Sequence, residues 1–212
     1  MKTLSRLFLF LALVLHSLQS VVIADDNVST ILVFGDSLSA GYGLQAEQDW
    51  PYLLQQRLNK NKQHWRVVNL SISGETSQGG LLRFPKAIKK YQPQLVILEL
   101  GANDGLRGQS LKAMRANLSA MIQQSQAIGA RVLLAGMHIP PNYGRRYTQA
   151  FHNSFATLQK QHQIHLIPFL LTDVATKPEL ILDDGLHPNA LAQEQILNNV
   201  WKYLSPLLHS AE

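Results

Sequence analysis

Five short apolar runs rich in β-branched residues alternate along the chain with stretches of helical period, and this alternation restricts the fold more than any other feature. The runs are Ile31–Phe34, Val67–Leu70, Leu95–Leu100, Val132–Ala135 and Ile164–Ile167. Unbroken apolar runs of this length suit strands buried on both faces, and an intervening helix returns the chain to the same sheet edge for parallel pairing. The spacing therefore predicts an α/β fold, a parallel sheet with helices on its faces. Between the third and fourth runs, Leu111, Met114, Leu118, Met121, Ile122 and Ser125 recur at helical spacing, and Gly129 stands where a left-handed helix stop belongs. Tyr147, Phe151, Phe155 and Leu158 make a second stripe, and Leu191, Ile196, Leu197, Val200, Trp201 and Leu204 a third. Each reads as core packing. Helices also fit around Trp50–Leu58 and Leu81–Ile88, where Pro51 and Pro85 blur the boundaries. Met137–Arg146, with Pro140, Pro141, Asn142 and Gly144, predicts an irregular surface loop.

The first two dozen residues are of a different kind. Lys2 and Arg6 give a basic start, Leu7–Leu15 is unbroken apolar sequence, and Val22-Ile23-Ala24 offers small residues to a peptidase. That pattern predicts a secretory signal peptide over residues 1–24 and export to the periplasm or medium. A membrane-spanning helix needs about 20 apolar residues, and His16, Ser17, Gln19 and Ser20 interrupt this one. Residues 25–212 are then one exported domain, expected to be a monomer without stable membrane insertion. The formal charge is +5, and removal of Lys2 and Arg6 leaves +3. The cations are scattered apart from Lys86, Lys89, Lys90 and the Arg145-Arg146 pair, so nucleic acid is not an expected partner. The chain has no cysteine, which excludes a cysteine nucleophile and thiolate metal sites.

Three of the runs end in polar turns. The first leads into Gly35-Asp36-Ser37-Leu38-Ser39, the second into Ser73-Gly74-Glu75-Thr76 after Asn69, and the third into Gly101-Ala102-Asn103-Asp104-Gly105. Carboxyl ends of parallel strands are where open α/β sheets bind ligands. By spacing alone, Ser37 serves equally as a nucleophile or as the cap of the helix that follows. Gly74 and Asn103 could supply an N–H and an amide to an oxyanion, or only turn geometry. Neither the P-loop pattern nor G-x-G-x-x-G is present. Near the C-terminus, Asp183-Asp184-Gly185-Leu186-His187 precedes the last helical stripe. A D-x-x-H spacing lets a carboxylate take the Nδ1 proton of the imidazole and leaves Nε2 free for a serine hydroxyl. The remaining histidines, His138, His152, His162 and His165 among them, read as structural or solvated. Glu99 reads as a structural carboxylate and Asp36 as a local hydrogen-bond partner.

Four blocks stand in order: GDSLS at Gly35–Ser39, SGETSQGG at Ser73–Gly80, GANDGLRG at Gly101–Gly108 and DDGLHPN at Asp183–Asn189. Together they resemble the SGNH (GDSL) hydrolases, over essentially the whole of residues 25–212. Within that family the likeness is to the bacterial periplasmic thioesterase, lysophospholipase and arylesterase group, which PPNYGRRY at Pro140–Tyr147 also matches. The resemblance implies a three-layer flavodoxin-like fold with a five-stranded parallel sheet in the order 2-1-3-4-5. It implies Ser37 as nucleophile, His187 and Asp184 as its catalytic partners, and Ser37, Gly74 and Asn103 as oxyanion donors. Choosing Asp184 over Asp183 rests on the resemblance. So does the placement of Ile139, Glu75 and Thr76 along an acyl chain.

The expected activity is cleavage of carboxylic esters and thioesters, acyl-CoA thioesters and lysophospholipids included, through an acyl-enzyme on Ser37. The expected partner is thus a small acyl ester or thioester, and no metal or organic cofactor is implied. A carbohydrate O-acetylesterase would use the same residues and would be distinguished by acting on acetylated sugars and not on longer acyl chains. A non-catalytic lipid or glycan carrier would leave Ser37 unlabelled by a fluorophosphonate.

Overall fold

A computed structural model describes residues 28–208, so the expected signal peptide lies outside the described residues. Five strands form one parallel sheet: β1 (Ser29–Gly35), β2 (Trp65–Asn69), β3 (Leu95–Glu99), β4 (Arg131–Ala135) and β5 (His165–Ile167). Their spatial order is β2-β1-β3-β4-β5, and every pairing is parallel. Helices α1 (Ser37–Ala40) and α2 (Trp50–Lys60) follow β1, and α3 (Ser77–Tyr91) follows β2. The pair α4 (Ala102–Leu106) and α5 (Leu111–Ala127) follows β3, α6 (Arg145–His162) follows β4, and α7 (Gln193–Leu208) ends the described chain.

Right-handed crossovers explain which helix lies on which face. The first crossover steps from β1 outward to β2, and the later ones step the opposite way from β2 towards β5. The change of direction puts α2 on one face and α3, α5 and α6 on the other. Strand residues divide accordingly. Ile31, Val33, Leu95, Ile97, Leu133 and Ala135 pack with Trp50, Leu54, Ile196 and Val200 of α2 and α7. Leu32, Phe34, Val96, Leu98 and Leu134 pack with Phe84, Met121 and Phe155 of α3, α5 and α6. Burying each such side chain contributes about 1.5–3 kcal/mol. β1 and β3, which feed opposite faces, are neighbours, so their carboxyl ends open a crevice.

The sheet and its faces agree with the expectation, with edges moved by one or two residues. The larger departure is α3, which runs well beyond Leu81–Ile88 and continues through Pro85. Pro85 is exposed, so water can take the place of the hydrogen bond that its missing N–H removes. The segment expected to be irregular keeps that character from Met137 to Gly144 apart from a short 3₁₀ turn at Pro141–Tyr143, while Arg145 and Arg146 already belong to α6.

Ile97 is fully buried in β3, at the centre of the sheet. Ile97→Ala should lower the unfolding free energy by about 2–5 kcal/mol in urea titration, with an unchanged slope. A loss below about 1 kcal/mol would mean that the face packed by α2 and α7 is not the close-packed core described.

Candidate active site

At the end of β1 the chain turns sharply through Gly35 and Asp36 into α1. A side chain at Gly35 would collide with the carboxylate of Glu99, which lies across the neighbouring end of β3. Glu99 Oε2 accepts the Asp36 N–H at 3.1 Å and the Ser39 hydroxyl at 2.7 Å. Asp36 caps α1, its Oδ1 accepting the Leu38 N–H at 3.1 Å. Ser37 is therefore the first residue of α1, and its N–H is one of the donors that a helix start leaves without an intrahelical partner.

Opposite this turn, an irregular strap carries Asp184 and His187 over the crevice. An antiparallel bridge joins Ile181 to Pro188, and the Leu182 N–H donates to the His187 carbonyl at 2.7 Å. Within the loop so closed, Asp184 Oδ1 accepts the N–H groups of Leu186 and His187, each at 2.9 Å. Its Oδ2 lies 2.6 Å from His187 Nδ1. The other ring nitrogen, Nε2, lies 3.0 Å from Ser37 Oγ. Hydroxyl, imidazole and carboxylate thus form one line of hydrogen bonds. Asp183 takes no part in it. The Tyr42 ring lies against His187 with centroids 4.3 Å apart.

Two further turns reach the same place. Gly74 has φ +79°, a left-handed conformation that costs glycine little, and it lines the cavity beside Ser37. Asn103, in the first turn of α4, donates from Nδ2 to Asp36 Oδ2 at 3.1 Å and to the Glu75 carbonyl at 3.0 Å. The cavity holds about 380 Å³, and Leu106, Met137, Ile139, Phe169, Leu171 and Leu186 make its wall largely apolar.

The sequence-predicted residues Ser37, Gly74, Asn103, Ile139 and His187 line this cavity, and Asp184 backs His187. Glu75 and Thr76 do not line it. Glu75 pairs with Arg83 Nε at 2.6 Å, and Thr76 caps α3 by accepting the Gly79 N–H. Their neighbour Ser73 occupies the rim instead. Tyr42, His138 and Phe169 were not singled out by sequence as site residues. His138 lies flat on His152 with centroids 4.0 Å apart and edge-on to Phe169, and its burial holds the imidazole below its ordinary value.

The carboxyl groups differ sharply in setting. Hydrogen bonds from its own turn, the His187 N–H first, hold Asp184 down to about 2. Burial pushes Asp36 up to about 6 against the pull of the Leu38 N–H, the Asn103 amide and a positive His187. Burial, and then the charge of Asp36, push Glu99 well above the usual carboxylate range. Asp184 is thus an anion at neutral pH, whereas Glu99 keeps its proton far more readily.

The profile of the GDSL-like lipase/acylhydrolase family matches residues 33–195. The chain belongs to this family. It is 46% identical to esterase TesA of Pseudomonas aeruginosa over 198 residues, 93% of this chain and 96% of the relative. It is 44% identical over 180 residues to thioesterase 1/protease 1/lysophospholipase L1 of Escherichia coli K12, 85% of each chain. The solved psychrotrophic esterase EstA of Pseudoalteromonas, in a structure inhibited by monoethylphosphonate, superposes with a TM-score of 0.82 at 43% identity. That likeness covers 86% of this chain and all of EstA. Membership of the family, and the sheet order it implies, agree with the fold described above.

The setting of Asp184 generates a titration prediction. Its folded value is below its usual 3.8, so the stability that its contacts supply is present above about pH 4 and is lost as pH falls through about 2. Carboxyl ¹³C NMR should place the Asp184 midpoint near 2; a midpoint at or above the usual value would contradict the bonding described.

Proposed function

We propose that the protein is an exported serine hydrolase that cleaves carboxylic esters and thioesters through an acyl-enzyme on Ser37. The observation that carries this reading is the continuous line from Ser37 Oγ to His187 Nε2 at 3.0 Å and from Nδ1 to Asp184 at 2.6 Å, at the mouth of an apolar cavity. The named activities of the relatives support it, esterase for one and thioesterase and lysophospholipase for the other. The basic start and apolar run of residues 1–24 support export.

In this mechanism the Ser37 hydroxyl attacks the acyl carbon while His187 Nε2 takes its proton, and the carbonyl π pair moves onto oxygen. The Ser37 and Gly74 N–H groups and the Asn103 amide face the resulting oxyanion. Asp184, held as an anion, fixes the imidazole with its proton on Nδ1 and supports the positive charge that develops on the ring. The oxyanion then reforms the carbonyl and expels the alcohol or thiol, which takes the proton from His187. A water molecule repeats the sequence against the acyl-enzyme, releasing the acid and restoring the Ser37 hydroxyl. The apolar wall suits an acyl chain and offers little to a carbohydrate ring, which favours acyl esters over acetylated sugars as substrates.

The test is a hydrolysis panel of p-nitrophenyl acyl esters, acyl-CoA thioesters and a lysophospholipid, graded by chain length. Turnover should extend to medium or long chains, Ser37→Ala should abolish it, and Asn103→Ala should lower kcat by about 10²–10³-fold. Near-normal hydrolysis by purified Ser37→Ala protein would overturn the assignment. Activity confined to acetylated sugars would turn the substrate reading to the O-acetylesterase.

A further inference from the structure

Asp36 and Glu99 are both fully buried at the end of the sheet, and the acyl-transfer steps use neither as acid, base or nucleophile. Two carboxyl groups in a dry site are costly unless each has a task or a proton. Glu99 has both. Its Oε2 accepts the two donors that shape the turn before Ser37, while its Oε1 meets no polar partner among the described residues. A neutral acid fits that setting, with the proton on Oε1. The negative charge of the pair then belongs on Asp36. Around Asp36 stand Glu99 on β3, Asp104 on α4 and, on the strap, His187 backed by Asp184. Among these, His187 favours the charge and the acids oppose it.

Each oxygen of Asp36 has a separate donor. Oδ1 takes the Leu38 N–H and so caps the helix that begins at Ser37; Oδ2 takes the Asn103 amide. The orientation of that amide is fixed by its second partner, because the Glu75 carbonyl can only accept and must face Nδ2 rather than Oδ1. The two bonds from Nδ2 are unequal. One runs to a carboxylate and the other to a neutral carbonyl, and a charge-assisted bond is roughly twice as strong. The hydrogen directed at Glu75 is therefore the one more easily given up to an oxyanion, and the hydrogen on Asp36 is the one that keeps the amide in place.

We propose that Asp36 is the positioning residue of the oxyanion site: its carboxylate holds the Asn103 amide in the orientation that meets the charge developing on the acyl oxygen. This rests on the serine-hydrolase reading above. Asp36 acts on the reaction through Asn103 and touches no reacting atom. The role is separable from helix capping, since serine also caps helices well but cannot span the distance to Asn103.

A double-mutant cycle on the full chain tests this. Asp36→Ser should lower kcat for a p-nitrophenyl ester by about 10²-fold, comparable with loss of an oxyanion donor, and leave KM within about threefold. In the Asn103→Ala background the same change should cost less than about threefold, because the group it serves is already gone. Asp36→Asn, nearly isosteric with the native side chain, carries the same expectation and replaces Asp36→Ser in the cycle if near-UV circular dichroism shows that variant unfolded. Losses that multiply in the double variant, or an Asp36 variant within threefold of wild type, would overturn the proposal. Fluorophosphonate labelling of the wild-type protein separates the two levels. Absence of label on Ser37 sinks the hydrolase reading itself, whereas normal labelling with multiplying losses sinks only the role of Asp36.

Discussion

The acyl transfer proposed for this protein depends on holding two side chains 150 positions apart in sequence within one hydrogen bond, Ser37 Oγ to His187 Nε2 at 3.0 Å. One such bond contributes about 1 kcal/mol and cannot hold a loop by itself. The scaffold does that. On the Ser37 side, the buried Trp50 donates from its indole Nε1 to the Leu38 carbonyl at 3.2 Å. The Trp50 N–H donates to Gln193 Oε1, and Gln193 Nε2 donates to the Asn189 carbonyl, two residues beyond His187. The Ser37 turn, α2, α7 and the His187 strap are thereby joined through two fully or nearly fully buried side chains. The strap adds its own bridge from Ile181 to Pro188.

The electrostatic arrangement follows from where each acid sits. Asp184 lies partly in water and collects hydrogen bonds from its own turn, so its charge is stable beside the His187 imidazole. Glu99 lies in the dry interior between β1 and β3, where only its neutral form is inexpensive. The same functional group is thus held as an anion at the rim, in Asp184, and pushed towards its neutral form at the base, in Glu99. Asp36 stands between them, buried yet supplied with two donors.

The strands were legible because burial on both faces leaves unbroken apolar runs, and the division between faces could be counted off in alternate residues such as Leu32 and Val33. The order of the strands was not in the residues themselves; it came with the four motif blocks. Helix α3 extends beyond what its sequence signals because Pro85 marks a break, and an exposed proline in a well-packed helix is tolerated where the lost bond faces water. Ser37, Gly74, Asn103, Asp184 and His187 could be named from motifs. Their mutual geometry could not, since it is made by contacts such as Trp50 with Gln193 that join distant segments. Glu75 and Thr76 share a motif block with Gly74, but their side chains turn back on α3. Sequence adjacency does not decide which way a turn faces. Tyr42 carried no signal, because a tyrosine in a glycine-rich loop gives no hint that it will cover an imidazole.

The measurement that bears most directly on the shared site is rapid acid quench of the enzyme with a p-nitrophenyl acyl ester, followed by mass spectrometry of the digested protein. The expected result is one acyl group during the pre-steady-state phase, in ester linkage to Ser37. Acyl groups on another residue, or product formed with no ester at Ser37 at any quench time, would contradict it.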